Sequence, residues 1–214
     1  MKDIAIIGKG GFGREVRMLI QQINKVENIW NFIGYFDDDG KDPIDGFDHL
    51  GGINDINQYD KELSLVIAIG DSFLREKIIQ KISNSKIFYP TLIHPSVQMD
   101  EEHCKIGYGS IICGNSIVTT NVVIGNYFIL NLTCTIGHDV TIGDFCSVMP
   151  GVNISGDVNM GNKCFVGTGA TIINEKNIGD GVTVGGGAVI IRDVPNYAIV
   201  VGNPGKVIRI NEPT

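Results

Sequence analysis

From residue 106 onward, aliphatic side chains recur at every sixth position of the chain. The series starts at Ile106 and ends at Ile190, and all fifteen of its members are aliphatic, Met160 included. Small residues or valine usually stand two positions before the aliphatic residue, and glycine frequently follows it. A strict six-residue period with small side chains at one phase is the signature of a parallel β-helix built from hexapeptide repeats.

Each hexad is predicted to form a short strand and a corner, with the aliphatic side chain pointing into a narrow prism. We expect glycine to supply backbone freedom at the corner. Three hexads close one triangular coil of about 18 residues, so the series predicts about five coils. In a β-sandwich the strands recur roughly every 8–12 residues, so that fold does not explain a strict period of six. After Ile190 the period ends, and residues 192–210 are expected to turn away and cap the open end.

The first part of the chain carries a different pattern, in which strand and helix signals alternate. Strands are predicted at 3–8, 32–36 and 65–70, and helices at 14–23 and 72–82. This order indicates a small Rossmann-like βαβαβ domain.

The fold class is therefore α/β plus β. An N-terminal Rossmann-like domain is predicted over residues 1–90, and a parallel β-helix with its C-terminal cap over residues 91–214. The proline-containing segment 88–96 is expected to link the two domains without forming a helix.

A glycine-rich turn follows the first predicted strand. Gly8, Gly10 and Gly13 satisfy G-x-G-x-x-G between a strand and a helix, where bare backbone lets a pyrophosphate approach the helix N-terminus. Asp37 stands near the position expected for a ribose-binding acid. A domain of about 90 residues offers one mononucleotide-binding half, which favours a nucleotide-linked ligand over NAD. A purely structural glycine turn is the alternative.

Composition narrows the classes of partner. Hydrophobic residues make up 43% of the chain and the net charge is −7, which fits a globular protein and argues against nucleic acid or an anionic membrane as a partner. No apolar run is long enough to span a bilayer, and MKDIAIIG (1–8) does not have the pattern of a signal peptide, so a cytoplasmic location is expected. The five cysteines form no C-x-x-C pair and are interpreted as small buried side chains rather than as a zinc site or disulfides.

The sequence resembles a known enzyme family along nearly its whole length. The hexads, together with IGHDVTIGDF (136–145) and VVGNPGKVIR (200–209), resemble the hexapeptide-repeat acyltransferases. GKGGFGREV (8–16), FDDD (36–39) and VIAIGDSFLREKI (66–78) resemble the subgroup of NeuD- and PglD-type sugar O- and N-acetyltransferases. The resemblance implies a left-handed β-helix, acetyl-CoA as co-substrate without a required metal, and a homotrimer with sites between subunits.

His138 and Asp139 are the candidate catalytic pair. A neutral imidazole suits the role of general base, and an adjacent carboxylate would fix its tautomer. Neighbouring residues on a flat strand point to opposite faces, but the register places His138 at a corner, where the chain turns. One coil further along the chain, Gly156 is predicted to stack over His138. A polar surface residue at 138 and a plain corner glycine at 156 are the alternatives.

The resemblance also implies binding roles for other positions. The nucleotide sugar would contact Gly10, Gly11, Phe12, Asp37, Asp38 and Gly70. Acetyl-CoA would contact Ser147, Gly156, Thr168, Gly186, Lys206 and Arg209, the last two through its phosphates. Phe12 and Ser147 stand where many relatives carry histidine, and a solvated tail is the alternative for Lys206 and Arg209.

We therefore predict an acetyl-CoA-dependent N-acetyltransferase that acts on a nucleotide-linked amino sugar of the 4-amino-4,6-dideoxyhexose type, for glycan or surface polysaccharide biosynthesis. The nucleotide would be UDP, dTDP or GDP. One alternative is an O-acetyltransferase of sialic acid or another sugar hydroxyl. A second alternative is a non-enzymatic scaffold that senses a ligand through its N-terminal domain.

Overall fold

A computed structural model describes residues 1–39 and 46–212. The N-terminal domain is a five-stranded parallel sheet, and its strands lie in the order β3-β2-β1-β4-β5. The strands are β1 (Lys2–Ile7), β2 (Trp30–Phe36), β3 (His49–Gly51), β4 (Leu63–Ile67) and β5 (Ile87–Phe88). The helices are α1 (Gly11–Val26), α2 (Ser72–Lys81) and a 3-10 helix (Ile53–Gln58). Within the described ranges, no helix has the length and apolar character needed to cross a bilayer.

Both faces of this sheet are covered, as expected for parallel strands. Along β1, Ile4 and Ile6 pack in one apolar cluster with residues of α1, whereas Ala5 and Ile7 pack in another with residues of β4. Alternate side chains of one strand therefore contribute to two separate cores.

The third glycine of the turn is required by close packing. A Cβ placed on Gly13 would lie 2.0 Å from the carbonyl oxygen of Gly8, which no larger residue could tolerate. Gly13 thus lets α1 start directly against the end of β1, as in dinucleotide-binding turns.

The predicted Rossmann-like domain is confirmed, with differences in its elements. The third predicted strand ends at Ile67 instead of residue 70, and α1 begins at Gly11 instead of residue 14. The sequence prediction missed β3 and β5, because strands of three and two residues carry too little alternation to register.

The second domain is a parallel β-helix with three flat faces. Face A holds Leu92–Ile93, Ile111–Ile112, Ile129–Leu130, Ser147–Val148, Phe165–Val166 and Thr183–Val184. Face B holds Gln98–Met99, Ile117–Val118, Thr135–Ile136, Asn153–Ile154, Thr171–Ile172 and Val189–Ile190. Face C holds Lys105–Ile106, Val123–Ile124, Thr141–Ile142, Asn159–Met160 and Asn177–Ile178.

The coil repeat is 18 residues, as predicted. Ile136 pairs in parallel with Val118 on one side and with Ile154 on the other. The inward residues form one continuous apolar cluster, and Ile136 and Val148 are fully buried within it. The helix holds nearly six coils instead of about five, because its first strand, Leu92–Ile93, lies inside the segment predicted to be a linker.

The glycines that directly follow inward residues serve a different purpose from the one predicted, whereas Gly109 and Gly151, further into the corner, do adopt the left-handed conformation. Gly107 and Gly137, which directly follow inward residues, do not adopt positive φ. Instead, a Cβ on Gly107 would lie 2.4 Å from the carbonyl carbon of Gly125 in the next coil. The left-handed conformation falls two residues later, at residues such as Asn121 and Asp139. Glycine therefore permits close contact between coils, and the turn itself accepts other residue types.

The chain ends in a hairpin that extends face A. Ala198–Val201 pairs in parallel with Thr183–Val184 and antiparallel with Lys206–Ile210. The segment thus continues the stacking for one strand before it reverses. All five cysteines are free thiols, four of them buried, in agreement with the prediction of small buried side chains.

We expect Gly107→Ala to destabilise the protein through overpacking, by about 1–3 kcal/mol. Gly151→Asn is the matched control, because a Cβ at Gly151 meets no atom within 4 Å and its φ of 70° is one that asparagine adopts elsewhere in this β-helix. Thermal unfolding followed by circular dichroism measures both variants. Equal midpoints for the two variants would contradict the packing role of Gly107.

Candidate active site

The corner after the face B strand Thr135–Ile136 brings His138 and Asp139 together. Asp139 has a φ of 57°, so the backbone reverses and both side chains leave the same side of the corner. The Nδ1 atom of His138 lies 2.7 Å from Oδ2 of Asp139. Both side chains are about half exposed, at 59% and 46%. The turn inferred from the register thus permits a pairing that a flat strand would forbid.

The preceding coil holds Asp139 in place. The Asn121 side chain donates a hydrogen bond of 3.1 Å to Oδ1 of Asp139, and the Asp139 amide donates to the carbonyl of Thr120. Asn121 and Asp139 are separated by one coil of 18 residues. Sequence reasoning missed Asn121, although the same 18-residue offset that located Gly156 would have found it.

The interaction between the two side chains shifts their pKa values in opposite directions, which suits His138 as a proton acceptor. Its hydrogen bond to Asp139 raises the pKa of His138, and the negative charges of Asp139 and Asp157 add to the effect. The same hydrogen bond lowers the pKa of Asp139, with a further contribution from Asn121. When the Nδ1–H group of His138 donates a hydrogen bond to Asp139, the lone pair of the neutral imidazole is on Nε2.

Gly156 lies directly against that nitrogen. A Cβ placed on Gly156 would stand 2.6 Å from Nε2 of His138, so only glycine leaves room for the ring. The amide of Asp157 donates to the carbonyl of His138 at 2.9 Å, which confirms the predicted stacking of the two coils.

The Gly156 amide donates to no acceptor among the described residues, although Gly156 is buried. The corner between faces C and A is different. There the amides of Asn126, Asp144 and Asn162 each donate to a side-chain oxygen one coil further on, at 2.6–2.9 Å. Because Gly156 lies beside Nε2 of His138, its amide can serve as a donor to a developing oxyanion.

The remaining predicted acetyl-CoA residues do not form one group with His138. Thr168 and Gly186 are exposed and stack at the corner between faces A and B, where the Gly187 amide donates to the carbonyl of Thr168. His138 lies at the corner between faces B and C. One full face of the prism therefore separates the two sets within a single chain.

Lys206 and Arg209 lie on the same C-terminal strand but line different clefts. Lys206 lies in a small cleft beside Ile190 and Gly205. Arg209 lies in a larger cleft near Asp71 and Lys77 of the N-terminal domain. The structure does not bring the two cations together around one phosphate group.

Ser147 departs from its predicted role. The side chain is fully buried, its hydroxyl donates to the carbonyl of Gly70 at 2.8 Å, and it accepts a hydrogen bond from Arg75 at 3.0 Å. A contact with the acyl end of acetyl-CoA is not available to a hydroxyl enclosed in this way. Sequence reasoning could not detect this, because the burial arises from docking between domains.

The glycine turn and Asp37 come together as predicted. Gly10 and Gly11 are exposed at the N-terminus of α1, and Asp37 follows β2 with Oδ2 accepting the Lys9 amide at 2.8 Å. One carboxylate oxygen of Asp38 already has a partner within the domain, since Oδ1 accepts a hydrogen bond from the Ile53 amide at 2.8 Å. Phe12 is half buried and packs against the apolar cluster between α1 and face A, so its ring faces the domain boundary rather than open solvent.

The other three histidines have local partners. His94 contacts Ser96, His103 contacts Asp100, and His49 bonds to the carbonyl of Asp37 at 2.8 Å. His49 lies in β3. The side chains of His138, Asp139 and Asp157 could in principle approach a cation, since their ligand atoms lie within 4.8 Å of one another, but exposed groups of this kind are common without a metal.

Comparisons with known proteins agree with this architecture. Residues 3–82 match the family described as the PglD N-terminal domain. The GDP-perosamine N-acetyltransferase of Escherichia coli O157:H7 is 31% identical over 158 residues, which cover 71% of this chain and 69% of that protein.

Solved structures of several proteins match over nearly the whole chain. The acetyltransferase domain of PglB from Neisseria gonorrhoeae FA1090, in complex with acetyl coenzyme A, is 29% identical with a TM-score of 0.88, covering 97% of this chain and 99% of that one. PerB from Caulobacter crescentus, in complex with CoA and GDP-perosamine, is 26% identical with a TM-score of 0.87 and 98% coverage of both chains.

The β-helix with its corner histidine, joined to a Rossmann-like domain, defines a hexapeptide-repeat acyltransferase. More narrowly, the chain belongs to the PglD-like family of sugar acetyltransferases.

We expect Asp139→Asn to lower the pKa of His138, because the hydrogen bond to the carboxylate is the largest cause of the raised value. Asp157→Asn should lower it less, since that carboxylate acts only through its charge. The four histidines of the chain make a titration by NMR practical. An unchanged pKa in Asp139→Asn would show that the pair does not persist in solution.

Proposed function

We propose that this protein is an acetyl-CoA-dependent N-acetyltransferase acting on the amino group of a nucleotide-linked amino sugar, with His138 as general base. The proposal depends on one observation, the close approach of His138 and Gly156 at the corner between faces B and C. Nε2 of His138 lies beside Gly156, whose buried amide has no acceptor among the described residues. A base and an oxyanion donor in contact are what direct aminolysis of a thioester requires.

The chemistry proceeds by direct attack. The amine nitrogen of the sugar attacks the thioester carbonyl, and a C–N bond forms while the carbonyl oxygen takes negative charge opposite the Gly156 amide. His138 accepts the proton from the amine through Nε2. The C–S bond then breaks, the CoA thiolate leaves, and the imidazolium can return the proton to it. Because Asp139 raises the pKa of His138, the imidazole is neutral and active mainly above that raised value.

The N-terminal domain supports a nucleotide sugar as the acceptor. Gly10 and Gly11 leave bare backbone at the start of α1, and Asp37 lies beside the turn. One relative carries the name GDP-perosamine N-acetyltransferase, and another was solved with CoA and GDP-perosamine together. We therefore propose a 4-amino-4,6-dideoxyhexose linked to GDP, UDP or dTDP, modified in the cytoplasm for glycan or surface polysaccharide biosynthesis.

The separation of the predicted acetyl-CoA residues from His138 supports a homotrimer. Thr168 and Gly186 lie at one edge of face B and His138 at the other. In a symmetric trimer, an edge of one β-helix can adjoin the opposite edge of its neighbour. We propose three sites between subunits, each combining the Thr168–Gly186 corner of one chain with His138 of another.

We expect His138→Ala to lower kcat/KM by about two to four orders of magnitude, since it removes the general base. His103→Ala is the matched control, because His103 is also an exposed histidine with a carboxylate at 3.0 Å. The measurement is release of CoA thiol from acetyl-CoA in the presence of GDP-, UDP- and dTDP-linked 4-amino sugars. Near-normal turnover by a folded His138→Ala trimer would refute the role of His138.

The acceptor group is tested with matched sugars. Nucleotide sugars that carry a 4-hydroxyl in place of the 4-amino group should bind, as judged by thermal shift, but should not be acetylated. Acetylation of the hydroxyl sugars, or of free sialic acid, at a comparable rate would instead assign an O-acetyltransferase.

A further inference from the structure

Arg75, on α2, is a buried arginine in which every N–H group donates a hydrogen bond. The residue is 1% exposed. Its five donors, the full set of a guanidinium group, reach five different acceptors. These acceptors are the carbonyls of Tyr127, Ile69, Phe145 and Cys146 and the hydroxyl of Ser147, at 2.6–3.1 Å.

The hydrogen bonds of Arg75 cross the boundary between the two domains. Four of the five acceptors belong to the β-helix, and the fifth, the carbonyl of Ile69, belongs to the loop after β4. The next residue of that loop, Gly70, accepts a hydrogen bond from Ser147 at 2.8 Å. Arg75 and Ser147 therefore bind two successive carbonyls of one loop to the β-helix.

These acceptors are all neutral oxygens. Burial lowers the pKa of Arg75 to about 10, so the group keeps its charge near neutral pH. Desolvating such a charge is costly, and the five acceptors replace its hydration shell only in this one arrangement. An apolar side chain at position 75 would pack against the β-helix without this desolvation cost. It would leave the carbonyl of Ile69 without its hydrogen bond from Arg75.

The loop held in this way forms one side of the expected ligand crevice. In the strand order β3-β2-β1-β4-β5, the chain reverses direction across the sheet between β1 and β4. Ligands of open α/β sheets bind at the carboxyl ends of the strands at this switch point. The glycine turn after β1 and the loop after β4 are in contact there, since a Cβ on Gly8 would lie 3.0 Å from the carbonyl of Ala68.

Ser147, which binds this loop, lies in the same coil of the β-helix as His138. His138 follows the face B strand Thr135–Ile136, and Ser147 begins the face A strand of the same coil. The loop after β4 is thus fixed by hydrogen bonds to the same coil of the β-helix that carries His138.

We propose that Arg75 and Ser147 are positioning residues, which fix the wall of the nucleotide crevice at Ile69–Gly70 against the β-helix and thereby set where the nucleotide sugar is held. This inference rests on the proposed function. Ser147 acts in it through Gly70 on the sugar nucleotide, and not on acetyl-CoA.

Ser147→Ala tests the inference with little change in volume. We expect the KM for the nucleotide sugar to rise roughly three- to tenfold, the effect of about one lost hydrogen bond, with the KM for acetyl-CoA unchanged. Ser110→Ala is the matched control, because Ser110 is equally buried and its hydroxyl donates to the Gly107 carbonyl within the β-helix. A rise in the KM for acetyl-CoA alone, or sugar KM values equal in the two variants, would overturn the proposal.

Binding without turnover separates this inference from the proposed function. Calorimetry with GDP, UDP and dTDP should show weaker binding to Ser147→Ala than to Ser110→Ala for whichever diphosphate the wild type binds. A wild type that binds a diphosphate but acetylates no nucleotide amino sugar would overturn only the proposed function. A wild type that binds none of the three would overturn the positioning role as well.

Arg75→Lys and Arg75→Met provide a second comparison. Lysine keeps the charge but cannot reproduce the five-donor fork, so both variants should weaken diphosphate binding. Full diphosphate affinity in a folded Arg75→Met protein would contradict the proposal.

Discussion

Parallel stacking with an offset of 18 residues is the constraint on which the rest of the molecule depends. Each inward residue, such as Ile136, is buried only because Val118 and Ile154 lie above and below it. A single coil cannot bury its own inward face, so the coils are stable only as a stack. The close approach also explains the corner glycines, since a Cβ on Gly137 would lie 2.6 Å from the Gly156 amide nitrogen.

The same stacking gives the corners of the prism different hydrogen bonds. At the corner between faces C and A, asparagine and aspartate side chains accept hydrogen bonds from backbone amides of the preceding coil. The amides of Asn126 and Asp144 are two such donors. The corner between faces B and C has no such ladder among the described residues, and neither the His138 amide nor the buried Gly156 amide has an acceptor there. What distinguishes Gly156 is its contact with the ring of His138, since a Cβ there would stand 2.6 Å from Nε2.

Features that follow from a local period could be predicted from the sequence. The period located the inward residues, the corner position of His138 and its contact with Gly156. The predicted number of coils is too low because Leu92 lies between Pro90 and Pro95, and two closely spaced prolines are also typical of an extended linker. The environment of Ser147 could not be predicted, because it depends on Arg75, which is 72 residues away in the other domain. No periodic signal connects residues that meet only when two domains dock.

The two departures from the family pattern gain meaning from that docking. Phe12 and Ser147 stand where the resemblance places histidines, and both lie at the boundary between the N-terminal domain and face A. Phe12 packs against the apolar cluster shared by α1 and face A, while Ser147 binds Gly70 and Arg75. A histidine at 147 would exceed the space of a fully buried serine and would displace the Arg75 network. In this chain, therefore, packing of Phe12 and the hydrogen bonds of Ser147 and Arg75 hold the N-terminal domain against face A.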